Sequence, residues 1–302
     1  MKKVALYGKK IDRSWYPRLR SLVEALSGYD VELFCCGELV AIFAEAGLAC
    51  DALNDVPTPD QLPSDTELFL ALGGDGTFLS SLTWVRDRGI PVAGINFGHL
   101  GFLTTVQIAD AADDHAWIRD LLAGNYRIDE RFLLQLQVDA PIDPLYPFAL
   151  NEVSLQRFRP QMMEIALTID DAELPPFQAD GLLISTSTGS TAYSLSVGGP
   201  ILMPGTGAII LSPVAPHNLN VRPLIVPNDS RIQVRLSSRS GAGEVALTAD
   251  NRSVPYPDEA VLCVTRAPFP LRRVALSGDA FIPALREKLF WGMDRRNYHT
   301  ED

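Results

Sequence analysis

Near residue 125 the chain changes period, and that change limits the possible architecture more than any single motif. Before it, short apolar runs of strand type alternate with amphipathic runs of helical type. "VALYG" (4–8), "VELFC" (31–35), "ELFLALG" (67–73) and "PVAGIN" (91–96) read as strands. Helices are expected over 16–27, near 38–47, from Thr77 to about Arg88 and near 110–123, with the Pro- and Asp-containing stretch 51–66 as a loop. Strand–helix alternation places helices on the faces of a parallel sheet. After it, "LLQLQVD" (133–139), "MEIALTID" (163–170), "RIQVRLS" (231–237), "EVALTAD" (244–250) and "AVLCVTR" (260–266) alternate apolar and polar residues. A two-residue period marks strands with one buried face. The expected organisation is an α/β domain over 1–125 and a β-rich, sandwich-like domain over 126–275. The tail "AFIPALREKLFWGM" (280–293) turns helical again, and its apolar face needs a surface to cover.

With 302 residues the chain is long enough for a core in each half. A net charge of -11 argues against nucleic acid and anionic membranes as partners, because both select a basic surface. It leaves room for a small anionic ligand in a local pocket. Cys35, Cys36, Cys50 and Cys263 form no C-x-x-C, so reduced, buried thiols are expected rather than a disulfide framework or a zinc site. "MKKVALYGKK" has too short an apolar run for a secretory signal, and no stretch is long enough to span a bilayer, so a cytoplasmic protein is expected.

The stretch "LFLALGGDGTFLSSL" (68–82) runs from a strand through glycines into a helix. A helix start offers unpaired N–H groups and the positive end of a dipole, which favour phosphate, and glycine permits close approach. The loop Gly73, Gly74, Asp75, Gly76, Thr77 is therefore a candidate phosphate loop. It lacks the lysine of G-x-x-x-x-G-K-[ST], and Leu79 stands at the third glycine of G-x-G-x-x-G. Asp75 puts a carboxylate where anions are expected. It can cap a helix beginning at Thr77, or it can take a proton from an attacking hydroxyl or help hold a metal ion in phosphoryl transfer. The loop alone leaves these readings level.

"GGDGT" resembles the motif shared by NAD kinases, diacylglycerol kinases and sphingosine kinases, and in near form by phosphofructokinases. A second stretch narrows the choice. "DGLLISTSTGSTAYSLSVGGPI" (180–201) is an apolar strand, a hydroxyl-rich small-residue loop and then glycines, a surface on which a flat base or ribose can lie. It resembles the NAD kinase hallmark at nearly every position, with Ser187 where that family usually has proline. "GINFGHLGFL" (94–103), "LNEVSL" (150–155), "RPLIVP" (222–227) and "LTADN" (247–251) resemble further family elements in family order. The chain is thus identified by resemblance as a member of the NAD kinase family, bacterial type.

The resemblance implies a Rossmann-like N-terminal domain, an all-β C-terminal domain, and a C-terminal segment (about 276–302) that returns to the first. It implies Mg²⁺-dependent phosphoryl transfer from ATP to the 2′-hydroxyl of the adenosine ribose of NAD, with NAD between the domains. Asp75 would be the base, with Gly74 and Gly76 shaping the loop and Mg²⁺ carried mainly by ATP. Phe102 would line the nucleotide pocket, Asn151 and Glu152 would bind adenine and ribose, and Thr188 and Thr191 would lie near the adenine. Ala192 and Tyr193 would line the nicotinamide side, Ser196 would lie close by, and Asp180 would contact NAD, often from a neighbouring subunit. A homodimer or homotetramer is implied as well.

Two departures stand out. Gln178 replaces an arginine common in the family, and Asn251 stands where glycine or histidine is common. Both touch substrate binding rather than chemistry. His99 reads as a loop-stabilising residue, His115, His217 and His299 carry no constellation, and Asp113–Asp114 reads as a solvated helix face. The rival readings are a lipid or sugar kinase with the same loop, a non-catalytic NAD(P)-binding sensor, and a structural subunit.

Overall fold

The structure, a computed structural model, describes residues 1–48, 53–98, 101–108, 115–158, 163–238, 245–257, 259–276 and 281–289. Cys50, His99, Asp113, Asp114 and His299 lie outside them. In chain order the first elements are β1 (Lys2–Tyr7), α1 (Tyr16–Ser27), β2 (Val31–Cys36), α2 (Leu39–Glu45), β3 (Leu53–Val56), β4 (Leu68–Leu72), α3 (Asp75–Val85), β5 (Val92–Asn96), β6 (Val106–Gln107), α4 (Ala116–Ala123) and β7 (Arg127–Arg131). There follow β8 (Leu134–Val138), β9 (Phe148–Ala149), β10 (Glu152–Arg157), β11 (Met163–Ile169), β12 (Ala172–Glu173), β13 (Phe177–Ala179) and β14 (Gly181–Thr186). The chain continues through α5 (Tyr193–Ser196), β15 (Ala208–Val214), β16 (Leu224–Pro227), β17 (Ile232–Ser238), β18 (Val245–Ala249), β19 (Arg252–Tyr256), β20 (Val261–Arg266), β21 (Leu271–Ala275) and α6 (Phe281–Leu289).

The described residues cluster into two compact units. The first draws on Met1–Phe78, Ala93–Ile128 and Val274–Asp302, the second on Leu79–Val92 and Asp129–Arg273. The first sheet has the order β3-β2-β1-β4-β5-β21-β7, with β6 beside β5. The pairs β1–β2, β1–β4, β2–β3 and β5–β6 are parallel, as strand–helix alternation requires. Strand β4 is buried at every residue, the signature of a strand covered on both faces. Helix α1 has a proline in its first turn and buries Leu19, Leu22, Val23 and Leu26, one stripe at helical spacing.

Two antiparallel sheets make up the rest. One has the order β16-β15-β14-β10-β18-β19, the other β12-β11-β17-β20-β8-β9, with β13 on β11. Alternate residues of both enter a single core, which includes Val153, Leu182 and Ile209 from the first sheet and Ile165, Val234 and Leu262 from the second. That shared core makes a sandwich.

The structure corrects several expectations. Leu53–Val56, read as loop, is a strand, because it pairs in parallel with Leu33–Cys36 while Asn54 and Asp55 face solvent at the sheet edge. The ladder overrides a weak local preference. Helix α3 begins at Asp75, two residues early, because the Gly74 carbonyl already accepts the N–H groups of Thr77 and Phe78, at 3.0 and 3.1 Å. It stops at Val85, where Arg86 takes φ +50°, before reaching Arg88. Strands β7 and β21 fall in the range read as β-rich domain, yet they join the first sheet. The Asn-Glu pair, expected on a strand, straddles a strand start: Asn151 precedes β10 and Glu152 begins it. Cys35 and Cys36 are buried as expected, whereas Cys263 is half-buried, its Sγ 3.3 Å from Arg231 Nε.

Candidate functional site

The glycine loop lies in the first unit, between β4 and α3. Gly73 N–H donates to the Ile95 carbonyl at 2.8 Å, tying the strand end to the neighbouring strand. Gly76 is exposed and has open space where a side chain would be, and Thr77 is half-buried. Asp75 does not cap the helix from outside; it is the first helical residue. Its carboxylate reaches a distant loop, with Oδ2 accepting from Phe102 N–H at 2.8 Å and Oδ1 from Leu103 N–H at 3.1 Å. Gly101 makes this contact possible, because a Cβ there would stand 1.7 Å from Asp75 Oδ1. Gly101 and Leu103 were missed in the sequence. Part of the signal was present, since both lie in "GINFGHLGFL". The ring of Phe102 is half-buried, 5.9 Å from that of Phe281 on α6. The helix after the β-rich region therefore does pack in the first unit.

The second cluster of expected residues lies in the second unit, at the start of β10. Asn151 is buried, and the backbone N–H groups of Leu150, Asn151 and Glu152 converge on the Asp250 carboxylate at 2.9, 2.8 and 3.3 Å. Asp250 N–H returns a bond to the Glu152 carbonyl at 2.9 Å. Burial pushes the Asp250 carboxyl up, while Arg252 and the three amides pull against that shift. Burial and, after it, the charge of Asp250 push Glu152 up to about 8. Taken alone, Glu152 reads as a solvated strand residue; here it is half-buried. Asn151 Oδ1 and Glu152 Oε2 are both buried without a hydrogen-bond partner among the described residues. A buried polar atom without a partner costs free energy unless water or a ligand supplies the missing bond.

The hydroxyl loop follows β14, which pairs antiparallel with β10 so that Ser185 stands opposite Glu152. This register brings residues 186–191 against Asn151. Thr186 N–H and Oγ1 donate to the carbonyls of Asn151 and Leu150, at 2.9 and 2.6 Å. Gly189 is required by the packing, because a Cβ there would stand 2.1 Å from the Asn151 carbonyl oxygen. Thr188 is buried and accepts from Arg131 Nη1 at 3.3 Å; Thr191 Oγ1 donates to the Thr188 carbonyl at 3.4 Å. Arg131, itself buried and paired with Asp129, carried no signal in the sequence. Ser187 is buried, with its carbonyl accepting from Ser190 Oγ at 2.8 Å. Ala192 is half-buried, and Tyr193 and Ser196 are exposed.

Asp180 stands apart from this group, at the start of β14. Its Oδ1 is 2.6 Å from Arg157 Nη2 and 3.5 Å from His217 Nε2. His217, left without a constellation by the sequence, therefore has one. Gln178 pairs in register with Glu164 across β13 and β11, and its N–H donates to Asn218 Oδ1. Arg157 puts a cation near this corner although position 178 lacks one. Asn251 Nδ2 donates to Ser80 Oγ at 2.9 Å, holding the β18–β19 turn to α3 within the second unit. His115 is a buried structural residue, with Nε2 2.9 Å from Ser21 Oγ and its ring edge-on to Trp117.

The comparisons bear on the whole chain. The family described as "ATP-NAD kinase N-terminal domain" matches residues 53–126, and "ATP-NAD kinase C-terminal domain" matches 150–276. An NAD kinase of Flavobacterium psychrophilum is 35% identical over 298 residues, 98% of this chain and 100% of that one. One of Bacteroides fragilis is 36% identical over 295 residues, 97% of this chain and 99% of the other. The chain belongs to the NAD kinase family. It is therefore an enzyme of the phosphotransferase class. Two solved structures share the fold at lower identity. Yeast NADH kinase complexed with NADH has a TM-score of 0.83 at 22% identity, covering 99% of this chain and 90% of that one. The Archaeoglobus fulgidus NAD kinase in complex with ATP has a TM-score of 0.71 at 23% identity, covering 96% and 99%. No helix among the described residues is long and apolar enough to cross a membrane.

Proposed function

We propose that the chain catalyses NAD + ATP → NADP + ADP. The ribose 2′-oxygen bonds to the γ-phosphorus, the bond from that phosphorus to the β,γ-bridging oxygen breaks, and ADP leaves. The hydroxyl proton passes to the Asp75 carboxylate and then to solvent. The observation that carries this reading is the unpartnered pair, Asn151 Oδ1 and Glu152 Oε2, buried in the element where family members have their Asn-Glu pair. The two amides on Asp75 fix its carboxylate in one orientation, as a base needs. The first turn of α3 faces the donor's phosphates.

Asn151 and Glu152 bind the adenosine part of NAD, Thr188 and Thr191 lie near the adenine, and Ala192, Tyr193 and Ser196 lie on the nicotinamide side. Phe102 lines the pocket and Asp180 contacts NAD, with Arg157 and His217 beside it. Magnesium suits these residues only as an ion carried largely by the triphosphate. Among the described residues no three of His, Cys, Asp and Glu converge, and the loop brings one carboxylate. One carboxylate plus phosphate oxygens is a set that Mg²⁺ accepts. When bound there, the ion neutralises charge on the phosphoryl oxygens. A cytoplasmic homodimer or homotetramer completes the proposal, with the resemblance as its support.

The test is direct. The purified protein is incubated with NAD, Mg²⁺ and ATP, and NADP is followed with a dehydrogenase that accepts NADP alone. NADP formation that needs both ATP and Mg²⁺ is the expected result. NAD binding without turnover would instead point to the sensor reading.

A further inference from the structure

The glycine loop has a charge problem that its own residues do not solve. Residues 73–77 carry one carboxylate and no lysine or arginine. A triphosphate brings several negative charges to that loop, and Asp75 adds another. Phosphate loops of other kinds meet this with a lysine in the loop itself.

Here a lysine arrives from the far end of the sequence. Lys288 lies in the last turn of α6, and its Nζ stands 4.5 Å from the centre of the Phe102 ring. The backbone N–H of that same Phe102 holds Asp75 Oδ2 at 2.8 Å. Phe281, one end of α6, packs on Phe102 as well, so two residues of the helix are seated on the residue that orients Asp75. A basic residue in a last helical turn ordinarily serves the helix dipole from solvent. Arg286, in the same turn, is exposed and suits that role. Lys288 is half-buried with its head over an aromatic face, although a free lysine extends its flexible stem towards water. Burial lowers its pKa, and the charge of Asp75 works against that shift.

We propose that Lys288 binds the phosphates of the phosphoryl donor, supplying from α6 the cation that the glycine loop lacks. Phe102 holds the ammonium group in place through its ring face, while its amide holds Asp75. One residue thereby sets the spacing between the cation and the carboxylate. The inference rests on the donor reading of the loop given above.

The test compares wild type with Lys288→Met, which keeps the stem on Phe102, and with Lys288→Arg. Thermal melts check folding. Two readouts are taken: kcat/KM for ATP against KM for NAD, and calorimetric binding of a non-hydrolysable ATP analogue with Mg²⁺. For K288M, kcat/KM for ATP and analogue affinity should fall on the order of tenfold to hundredfold. KM for NAD should stay within about twofold, and K288R should recover much of the loss, because a phosphate subsite needs charge. Unchanged ATP parameters in a folded K288M overturn the inference. So does an equal loss for ATP and NAD that K288R fails to recover. If wild type makes no NADP, the proposed reaction fails, and the binding arm still decides the role of Lys288.

Discussion

The two clusters of candidate residues are built in opposite ways. The loop 73–77 is contiguous, and local rules place it: an apolar strand, glycines, then a helix start. The cluster at Asn151 and Glu152 has no local logic. It is assembled where β10, β14 and the β18–β19 turn meet, around one fully buried carboxylate, Asp250, that gathers three backbone amides. The first is a motif held open to solvent at Gly76; the second is a desolvated pair of polar atoms waiting for partners. A contiguous loop tolerates changes around it, whereas an assembled site depends on register, so changes of backbone contact should harm it most.

Variants can break or sharpen that contrast. The largest effect is expected at the loop. Asp75→Asn should cut turnover by roughly 10²–10⁴-fold and leave NAD affinity within a few-fold, since positioned acid–base groups supply about that much. Steady-state kinetics with a melt to confirm folding checks it, and near-normal turnover would remove Asp75 as base. Next, Asn151→Ala should raise KM for NAD about tenfold with kcat little changed, the value of one or two buried hydrogen bonds. An unchanged KM would take Asn151 out of the site.

Gly189→Ala tests assembly rather than chemistry. Its Cβ would lie 2.1 Å from the Asn151 carbonyl oxygen, so backbone must move. A loss of about 1–3 kcal/mol in chemical denaturation is expected, with weaker NAD binding. Gly76→Ala, with open space around its Cβ, should leave denaturation within about 1 kcal/mol of wild type. Equal losses in the two variants would dissolve the contrast between the regions.

Glu152 reports on the dryness of the second region through its titration. Its carboxyl is pushed up to about 8 in the folded protein from 4.5 in the unfolded chain, by burial and then by Asp250. Between those values the folded state holds the extra proton. The stabilising contribution is complete below about 4.5 and is lost as pH rises through about 8. Glu152→Gln should flatten the fall of Tm with rising pH by roughly 2–4 °C per kcal/mol removed. Identical slopes in the two proteins would mean that Glu152 is solvated and that the second region is no drier than the first.

The sequence carried some parts of this protein to the residue. Helix α1 spans Tyr16–Ser27 as its periodicity requires, and β8, β11, β17, β18 and β20 begin and end within a residue or two of the alternating runs that announce them. Edge strand β3 escaped, because Asn54 and Asp55 suit a loop until β2 pairs with them. Asn151, Glu152 and Thr188 were named by resemblance, but not what surrounds them. Arg131 beneath Thr188 and Asp250 beneath Asn151 act through contacts between residues 57 and 99 positions apart.

Periodicity and short motifs are local, and they determined by themselves the two-part architecture, the glycine loop and the family. The tertiary structure alone decided which backbone groups Asp75 and Asp250 bind, which polar atoms are buried without partners, and that Lys288 stands over Phe102. The reason is physical. Periodicity reports which face of an element avoids water, a property of neighbours in sequence. Desolvation, charge pairing and hydrogen-bond satisfaction depend on distances across the fold, which exist only once strands have found their register and α6 has found its place.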